Sequence, residues 1–134
     1  MVLNDKIRAY YRDNPLMVSS PFGGVNGFNH ALLERVLERL GILLRGRRVL
    51  DIGCGRGYLA EAVGPDGRYT GLDLVPNRAG FPLVLGDAAD LPFGDGAFDV
   101  VCCIDAFEHF PEPSRATAEF YRVLKPGGTV FLSA

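Results

Sequence analysis

Three glycines at alternate positions follow a carboxylate that ends a short apolar run. In VLDIGCGRGYL, residues 49–59, Asp51 ends the run and Gly53, Gly55 and Gly57 come before a helical pattern. Glycine lets the chain turn sharply and lets a ligand approach the backbone, because it has no Cβ. A carboxylate here would repel a pyrophosphate but suits a ligand that carries an ammonium group. The segment therefore predicts a site for a cationic ligand, with a glycine turn that binds nothing as the alternative.

The spacing of the glycines disfavours two common nucleotide sites. Dinucleotide-binding loops follow G-x-G-x-x-G, whose last glycine lets the helix pack on the strand. Here Tyr58 stands at that last position. No GK[ST] sequence for a nucleoside triphosphate is present either. A nicotinamide-dependent oxidoreductase is therefore a disfavoured alternative.

Two further aspartates end the next two apolar runs. Asp73 lies about twenty residues past the glycines, where an acidic side chain can accept hydrogen bonds from both ribose hydroxyls. Asp87 and Ala88 follow the third run and offer a carboxylate acceptor beside a backbone N–H donor. That pair can bind the edge of an adenine. Each aspartate can instead be a simple turn residue, and Asp87 can also cap a helix.

The elements that must position these residues are short apolar runs separated by Gly, Pro and Asp. Their near-continuous apolar character indicates burial on both faces, which is typical of a parallel sheet. Helical patterns over about 28–40, 58–63 and 114–124 indicate an α/β fold, and a weaker one covers about 3–13. The sequence Pro126-Gly127-Gly128 is expected to stop the last of these helices. Only VPNRAGF separates the second strand from the third, so we expect an extended or one-turn link there. The predicted strands are RRVLDI (47–52), RYTGLDL (68–74), PLVLGD (82–87), FDVVCCI (98–104) and TVFLSA (129–134).

Composition excludes several function classes. The net charge of −2 gives no electrostatic reason to expect nucleic acid or an anionic membrane as a partner. The first residues lack the apolar region of a secretory signal, so we expect a cytoplasmic protein. Cys102 and Cys103 are adjacent, so on a strand they point to opposite faces and fill the core. The clustered Arg45, Arg47 and Arg48 fit a solvated turn before the first strand.

Five motifs, taken in order, resemble those of class I S-adenosylmethionine-dependent methyltransferases. They are VLDIGCGRG, GLDL, GDAADLPF, FDVVCCIDAFEHF and RVLKPGGTVFLS. The resemblance implies S-adenosylmethionine as the cofactor and S-adenosylhomocysteine as its product. It also implies a Rossmann-like three-layer sandwich in which five parallel strands have the order 3-2-1-4-5.

The same resemblance implies which residues bind each part of the cofactor. They are Asp51, Gly53, Cys54, Gly55 and Gly57 for the methionine portion, Asp73 with Leu74 next to it for the ribose, Asp87 and Ala88 for the adenine, and the backbone near Ile104 for the ammonium.

The segment CIDAFEHFPEP is similar to one in the ubiquinone-biosynthesis O-methyltransferases. In small-RNA 2′-O-methyltransferases a related E-x-x-E-H holds a divalent metal, and Asp105, Glu108 and His109 match that spacing. The only other histidine is His30, and a matching downstream ligand is absent, so we expect no metal. His109 is either a structural residue or a contact to the methyl acceptor. In the second case it is the general base, with Glu108 as the second choice.

Family members usually continue past the fifth strand with a helix and a hairpin, and we expect strands 6 and 7 to be absent here. Without them TVFLSA is a bare apolar edge strand. Either the chain is a fragment, or the N-terminal segment or a partner, such as the second copy of a homodimer, covers that edge. We expect one domain over 1–134, with an N-terminal helical segment at 1–45 and the Rossmann-like core at 46–134. Tyr10 and Tyr11 either pack on the sheet or form a lid over the cofactor.

The expected function is transfer of a methyl group from S-adenosylmethionine to an O, N or C atom of a small-molecule acceptor. The alternative is a non-catalytic module that binds the same cofactor as a scaffold or regulator. Transferases that use the decarboxylated cofactor lack a supporting motif.

Overall fold

The computed structural model describes residues 35, 37–39, 42–55, 57–74, 76, 80–104 and 106–133. The predicted helix at 3–13, with Tyr10 and Tyr11, lies outside these residues, and so does most of the helix predicted at 28–40. Residues 35 and 37–39 of that second helix are helical, and Leu37 is buried in the core. The predicted single domain, with an N-terminal segment at 1–45 and a core at 46–134, therefore stays a prediction.

Five strands form one parallel sheet in the order β3-β2-β1-β4-β5, which confirms the predicted fold class and strand order. Helix α1 connects β1 to β2, a 3-10 turn at Phe107–His109 follows β4, and helix α2 connects that turn to β5. The elements are β1 (Arg48–Ile52), α1 (Leu59–Val63), β2 (Arg68–Asp73), β3 (Leu83–Leu85), β4 (Phe98–Ile104), α2 (Pro113–Val123) and β5 (Leu124–Ser133).

The fifth strand begins earlier than predicted. It starts at Leu124 rather than at residue 129, directly after α2 ends at Val123. Leu124 pairs with Phe98, and pairing resumes between Thr129 and Val100 after a register shift. Residues 125–128 are thus an irregular insertion within the strand, where the sequence suggested only a helix stop. The third strand is also shorter than predicted, so Asp87 lies two residues past its end.

The two faces of the sheet bury two separate hydrophobic clusters, because successive residues of a strand point to opposite faces. Leu50, Ile52 and Cys103 pack on the face covered by α2, whereas Val49 and Cys102 pack on the face covered by α1. Both cysteines are fully buried and free, as predicted for core residues. Helix, sheet and helix therefore form the three expected layers.

The connection between β2 and β3 is not a crossover helix in its described part. Residues 74, 76 and 80–82 have no helical conformation. Phe81 of this connection packs back over the glycine segment and lies edge-on to Tyr69, with ring centroids 5.4 Å apart. No helix among the residues that the structure describes is long and apolar enough to cross a membrane.

Candidate functional site

The carboxyl ends of β1, β2 and β3 bring the three predicted aspartates to one edge of the sheet. Asp51 pairs with Gly71 in the parallel register of β1 and β2, and Asp73 pairs with Leu85 of β3. Asp87 follows two residues after Leu85. Ligands of open α/β sheets bind at this edge, because the loops that follow the strands converge there.

The segment from Gly53 to Gly57, here called the glycine loop, has backbone angles that suit glycine. Gly53, Gly55 and Gly57 have φ values of 68°, 51° and 71°, in the left-handed region that other residues rarely adopt. The protein itself also needs glycine at two of these positions. A Cβ on Gly53 would lie 2.5 Å from the Cβ of Ala106, and one on Gly57 would lie 2.4 Å from the ring of Phe81. Turn geometry and packing therefore explain these glycines alongside the predicted approach of a ligand.

Backbone amides of the glycine loop hold the loop against β2. The N–H groups of Gly53 and Cys54 both donate to the Leu72 carbonyl, at 2.8 and 3.2 Å. The N–H of Gly55 donates to Asp73 Oδ2 at 3.2 Å, and the N–H of Leu74 donates to Oδ1 of the same carboxylate at 2.8 Å. The loop and Asp73 are thus fixed to each other. Each carboxylate oxygen can accept more than one hydrogen bond, so these two bonds do not by themselves exclude the ribose assignment.

Asp51 is the buried charged residue of the described core, with 5% of its surface exposed. The Tyr69 hydroxyl donates to its Oδ2 at 2.6 Å. Burial raises the pKa of Asp51 to about 7, the hydrogen bond from Tyr69 acts to lower it, and the negative charge of Asp73 acts to raise it. No cationic side chain among the described residues contributes to this pKa. An ammonium group brought to this edge would supply the missing countercharge.

Cys54 and Ile104 lie at the same edge, with side chains that belong to the core. Cys54 is 4% exposed and Ile104 is 8% exposed, and both join the hydrophobic cluster beneath α1. Burial raises the pKa of the Cys54 thiol, so it stays protonated. Ile104 is the last residue of β4 and pairs with Ser133 of β5.

Asp87 forms a turn with the residues that follow it. Its Oδ1 accepts from the Ala89 N–H at 2.9 Å, and its carbonyl accepts from the Asp90 N–H at 3.0 Å. The alternative role as a turn residue is therefore present in the structure. The Ala88 N–H has no hydrogen-bond acceptor among the described residues. The adenine assignment of Asp87 and Ala88 stays a prediction.

Glu108 and His109 lie in the 3-10 turn after β4 and are both partly exposed. His109 Nε2 is 3.7 Å from Glu108 Oε1, with 54% and 41% of the two side chains exposed. The His109 N–H donates to the Ala106 carbonyl, which holds the turn beside the residue that packs on Gly53. Asp105 lies outside the described residues, so its place relative to this pair is not part of the structure. No cluster of three potential metal ligands occurs in the described part of the chain.

Two residues of α2 hold the loop that carries Asp87, and the sequence reasoning missed them. Glu119 accepts from the Leu91 N–H at 2.7 Å, and Arg122 donates to the carbonyls of Leu91 and Phe93 at 3.0 and 2.8 Å. The two side chains also pair with each other at 2.8 Å. Tyr69 was missed as well. The contacts of Glu119 and Arg122 with the loop, and that of Tyr69 with Asp51, join distant parts of the chain. Only strand pairing could have revealed the one between Tyr69 and Asp51.

A comparison with known protein families matches residues 50–132 to the family described as methyltransferase domain. The match covers β1 to β5 and every aspartate of the candidate site. The chain belongs to the methyltransferase domain family. This confirms the resemblance to class I S-adenosylmethionine-dependent methyltransferases that the motifs indicated.

Similar proteins fit the same family. The methyltransferase domain is 46% identical to phthiotriol/phenolphthiotriol dimycocerosates methyltransferase 1 of Mycobacterium ulcerans, over 63% of this chain and 36% of that protein. It is 35% identical to ubiquinone biosynthesis O-methyltransferase of Sodalis glossinidius, over 84% of this chain and 50% of that protein. Among solved structures, the [4+2]-cyclase SpnF has a TM-score of 0.72 and 27% identity, over 95% of this chain and 59% of that one. The chain thus spans about a third to a half of the length of these two curated relatives.

Proposed function

We propose that this chain is the cofactor-binding part of an S-adenosylmethionine-dependent methyltransferase whose acceptor is a small molecule. Family membership supports the reaction class, and the names of the two curated relatives support methyl transfer. The observation that carries the proposal is the pair Asp51 and Asp73 beside the glycine loop at one sheet edge. The resemblance to SpnF means that the fold alone does not establish methyl transfer, since one fold can support different reactions.

The proposed site divides the cofactor among three strand ends. Asp51 and the main chain of the glycine loop receive the positively charged methionine portion, because Asp51 lacks a described cationic partner. Asp73 receives the ribose hydroxyls on a carboxylate that two backbone amides already orient. Asp87 and the Ala88 N–H receive the adenine edge. The backbone of Ile104, at the end of β4, contacts the ammonium group together with Asp51, and Leu74 lies beside the ribose just past the end of β2.

Methyl transfer from a sulfonium is an in-line displacement in which the acceptor atom bonds to the methyl carbon as the carbon–sulfur bond breaks. When bound, the cofactor supplies the activated carbon, and the protein mainly supplies orientation. An oxygen or nitrogen acceptor that carries a proton must also lose it. His109 is the proposed base, because it follows the end of β4 on a short turn and is exposed to an incoming acceptor. Glu108 is the second choice.

The proposal gives no role to nucleic acid, a membrane or a metal, and it leaves the cytoplasm as the expected compartment. A second copy of the chain along the edge of β5 also stays a prediction. Val130 and Leu132 of that strand are 41% and 39% exposed. The relatives are named as enzymes, which supports catalysis over the non-catalytic module.

Titration calorimetry with S-adenosylhomocysteine tests the cofactor assignment without an acceptor. We expect binding by the wild-type chain and a loss of about ten- to a hundredfold in Asp73→Ala, which corresponds to about 1.4–3 kcal/mol. Asp66→Ala is the matched control, because Asp66 is an exposed aspartate in the turn between α1 and β2. Unchanged affinity in Asp73→Ala would contradict the ribose assignment, and no binding by the wild type would contradict the proposed cofactor.

A further inference from the structure

Tyr69 is a buried residue whose hydroxyl points at the carboxylate of the candidate site. It lies on β2 with 8% of its surface exposed, and its ring packs edge-on against Phe81. The register of the sheet explains the contact. Tyr69 pairs with Val49, and Asp51 lies two residues further along β1 on the same face. The phenol therefore reaches diagonally across the strand pair to Asp51 Oδ2.

The groups around Asp51 offer it no described countercharge. Tyr69 faces it from β2, Cys54 from the glycine loop, Asp73 from the end of β2 and Cys102 from β4. The pKa values of Tyr69 and of both thiols are raised, with burial as the main cause, so all three groups stay neutral near pH 7. Among the described residues, the Tyr69 hydroxyl is the group that donates a hydrogen bond to the Asp51 carboxylate. It opposes the effect of burial and lowers the pKa of Asp51.

We propose that Tyr69 is a positioning residue for cofactor binding, since its hydroxyl occupies Oδ2 of Asp51 and leaves Oδ1 to receive the ammonium group of the ligand. The inference rests on the proposed function, because it names a residue that acts through Asp51 on the same ligand. The donor has two effects. It fixes the plane of the carboxylate, and it favours the ionised form, which a cation requires.

Tyr69→Phe isolates the hydroxyl, because the ring and its packing against Phe81 are retained. Without the donor, burial acts on Asp51 unopposed, and we expect the carboxyl to ionise at a pH about one unit higher. Affinity for S-adenosylhomocysteine should then fall about fivefold at pH 7, because the ionised fraction of Asp51 falls from about a half to about a tenth, and the loss should shrink as pH rises toward 9. Tyr121→Phe is the matched control, because Tyr121 lies on α2 and is 84% exposed.

Two measurements test the inference separately from the proposed function. Carboxyl ¹³C NMR of the ligand-free chain follows Asp51 with no ligand present, and calorimetry from pH 6 to 9 follows affinity. A higher titration midpoint in Tyr69→Phe, with recovery of affinity at high pH, supports the positioning role. An unchanged midpoint, or an affinity loss of equal size at every pH, would overturn it while the proposed function stands. If the wild type binds no S-adenosylhomocysteine, the proposed function fails and with it the ligand role of Tyr69.

The Asp51→Asn background provides a further check. There Tyr69→Phe should leave affinity nearly unchanged, and a loss at pH 7 of about fivefold, as in the Asp51 background, would overturn the inference. Should Tyr69→Phe fail to fold, the wild type alone still decides. The Cζ resonance of Tyr69 should shift in step with the Asp51 carboxyl carbon as that carboxyl takes up its proton. A Tyr69 Cζ resonance that does not shift during this titration would contradict the hydrogen bond between Tyr69 and Asp51 and overturn the inference.

Discussion

Asp51 and Asp99 lie at opposite ends of the strand pair β1 and β4 and have opposite electrostatic environments. Asp99, at the amino end of β4, accepts from the backbone N–H of Arg48 at 2.8 Å and from its guanidinium at 3.1 and 3.3 Å. The Lys125 ammonium is 2.9 Å away on the same carboxylate. The hydrogen bonds from Arg48 hold the pKa of Asp99 well below its usual range. Asp51, at the carboxyl end of β1, has a neutral phenol as its donor and a pKa raised to about 7 by burial.

The difference separates a structural carboxylate from one that serves binding. Asp99 ties β1, β4 and β5 together, and its charge is satisfied within the fold. The charge of Asp51 costs stability, because a buried carboxylate without a cationic partner favours its neutral form. Under the proposed function, the ammonium group of the ligand supplies the missing charge. The contrast fits a structural role for the amino end of the sheet and the binding role that we propose for the carboxyl end.

The largest expected effect separates the two aspartates by the sign of their pH dependence. The folded-state pKa of Asp51 is raised to about 7, above its unfolded value of about 3.9. Below that unfolded value Asp51 is protonated in both states, and the fold loses stability as pH rises from about 4 through 7. Asp51→Asn mimics the neutral form and does not lose this stability. We therefore expect the difference in free energy of unfolding between the variant and the wild type to grow by roughly 2–4 kcal/mol, in favour of the variant, as pH rises from about 4 through 7.

Urea unfolding of the ligand-free chain at several pH values measures this effect. Asp66→Asn, in the exposed turn after α1, is the matched control and should track the wild type throughout. Parallel profiles for Asp51→Asn and the wild type between pH 4 and 8 would show that Asp51 titrates as an ordinary carboxyl, and the comparison would fail.

Asp99→Asn should give an effect of intermediate size and opposite sign. At pH 7 it weakens the bonds to Arg48 and Lys125, and we expect the free energy of unfolding to fall by about 1–3 kcal/mol. The folded-state pKa of Asp99 is lowered, so its contribution is present above about pH 4 and is lost as pH falls toward the folded pKa. Urea unfolding at pH 7, 4 and 3 should show the gap from the wild type closing with acid. A gap that stays constant would exclude a charge-dependent role.

Lys125→Met should give the smallest effect. The ammonium of Lys125 is 39% exposed, and its pair with Asp99 is screened by water and salt. Asp99 also keeps its three bonds to Arg48 in this variant. We expect the free energy of unfolding to change by less than about 1 kcal/mol, and by less still in 1 M salt. Thermal unfolding at low and high salt measures it. A loss as large as that of Asp99→Asn would assign the dominant role to Lys125 instead of Arg48.

The first and last residues of a strand can be predicted from the sequence where burial alone determines them. The bounds of β4 match the apolar run 98–104, because that strand is covered on both faces. The start of β5 was missed because it depends on pairing between Leu124 and Phe98 across a register shift. Gly127 and Gly128 were read as a helix stop. Gly128 instead lets the inserted residues 125–128 pass close to Asp99, because a Cβ there would lie 3.0 Å from the Asp99 carbonyl oxygen. Gly127 has a φ of 79°, in the left-handed region that favours glycine.

The candidate site was predictable in its positions but not in its environments. Alternate glycines and strand-end aspartates can be read from spacing, and they converge as expected for a parallel sheet. The donor to Asp51 could not be read this way, because Tyr69 is 18 residues away and reaches it only through strand register. Two other contacts depend on tertiary structure in the same way. Phe81 packs on Gly57, and Arg122 donates hydrogen bonds to the loop after β3.

The central claim is that Asp51 ionises to meet a cationic ligand, and proton release on binding tests it directly. Calorimetry with S-adenosylhomocysteine at pH 7, in buffers of different ionisation enthalpy, counts the protons released. With a pKa of about 7 in the empty site, Asp51 is about half protonated at that pH and should release about half a proton per ligand bound. Asp51→Asn should release almost none. Equal release by both proteins, together with equal affinity, would contradict the account.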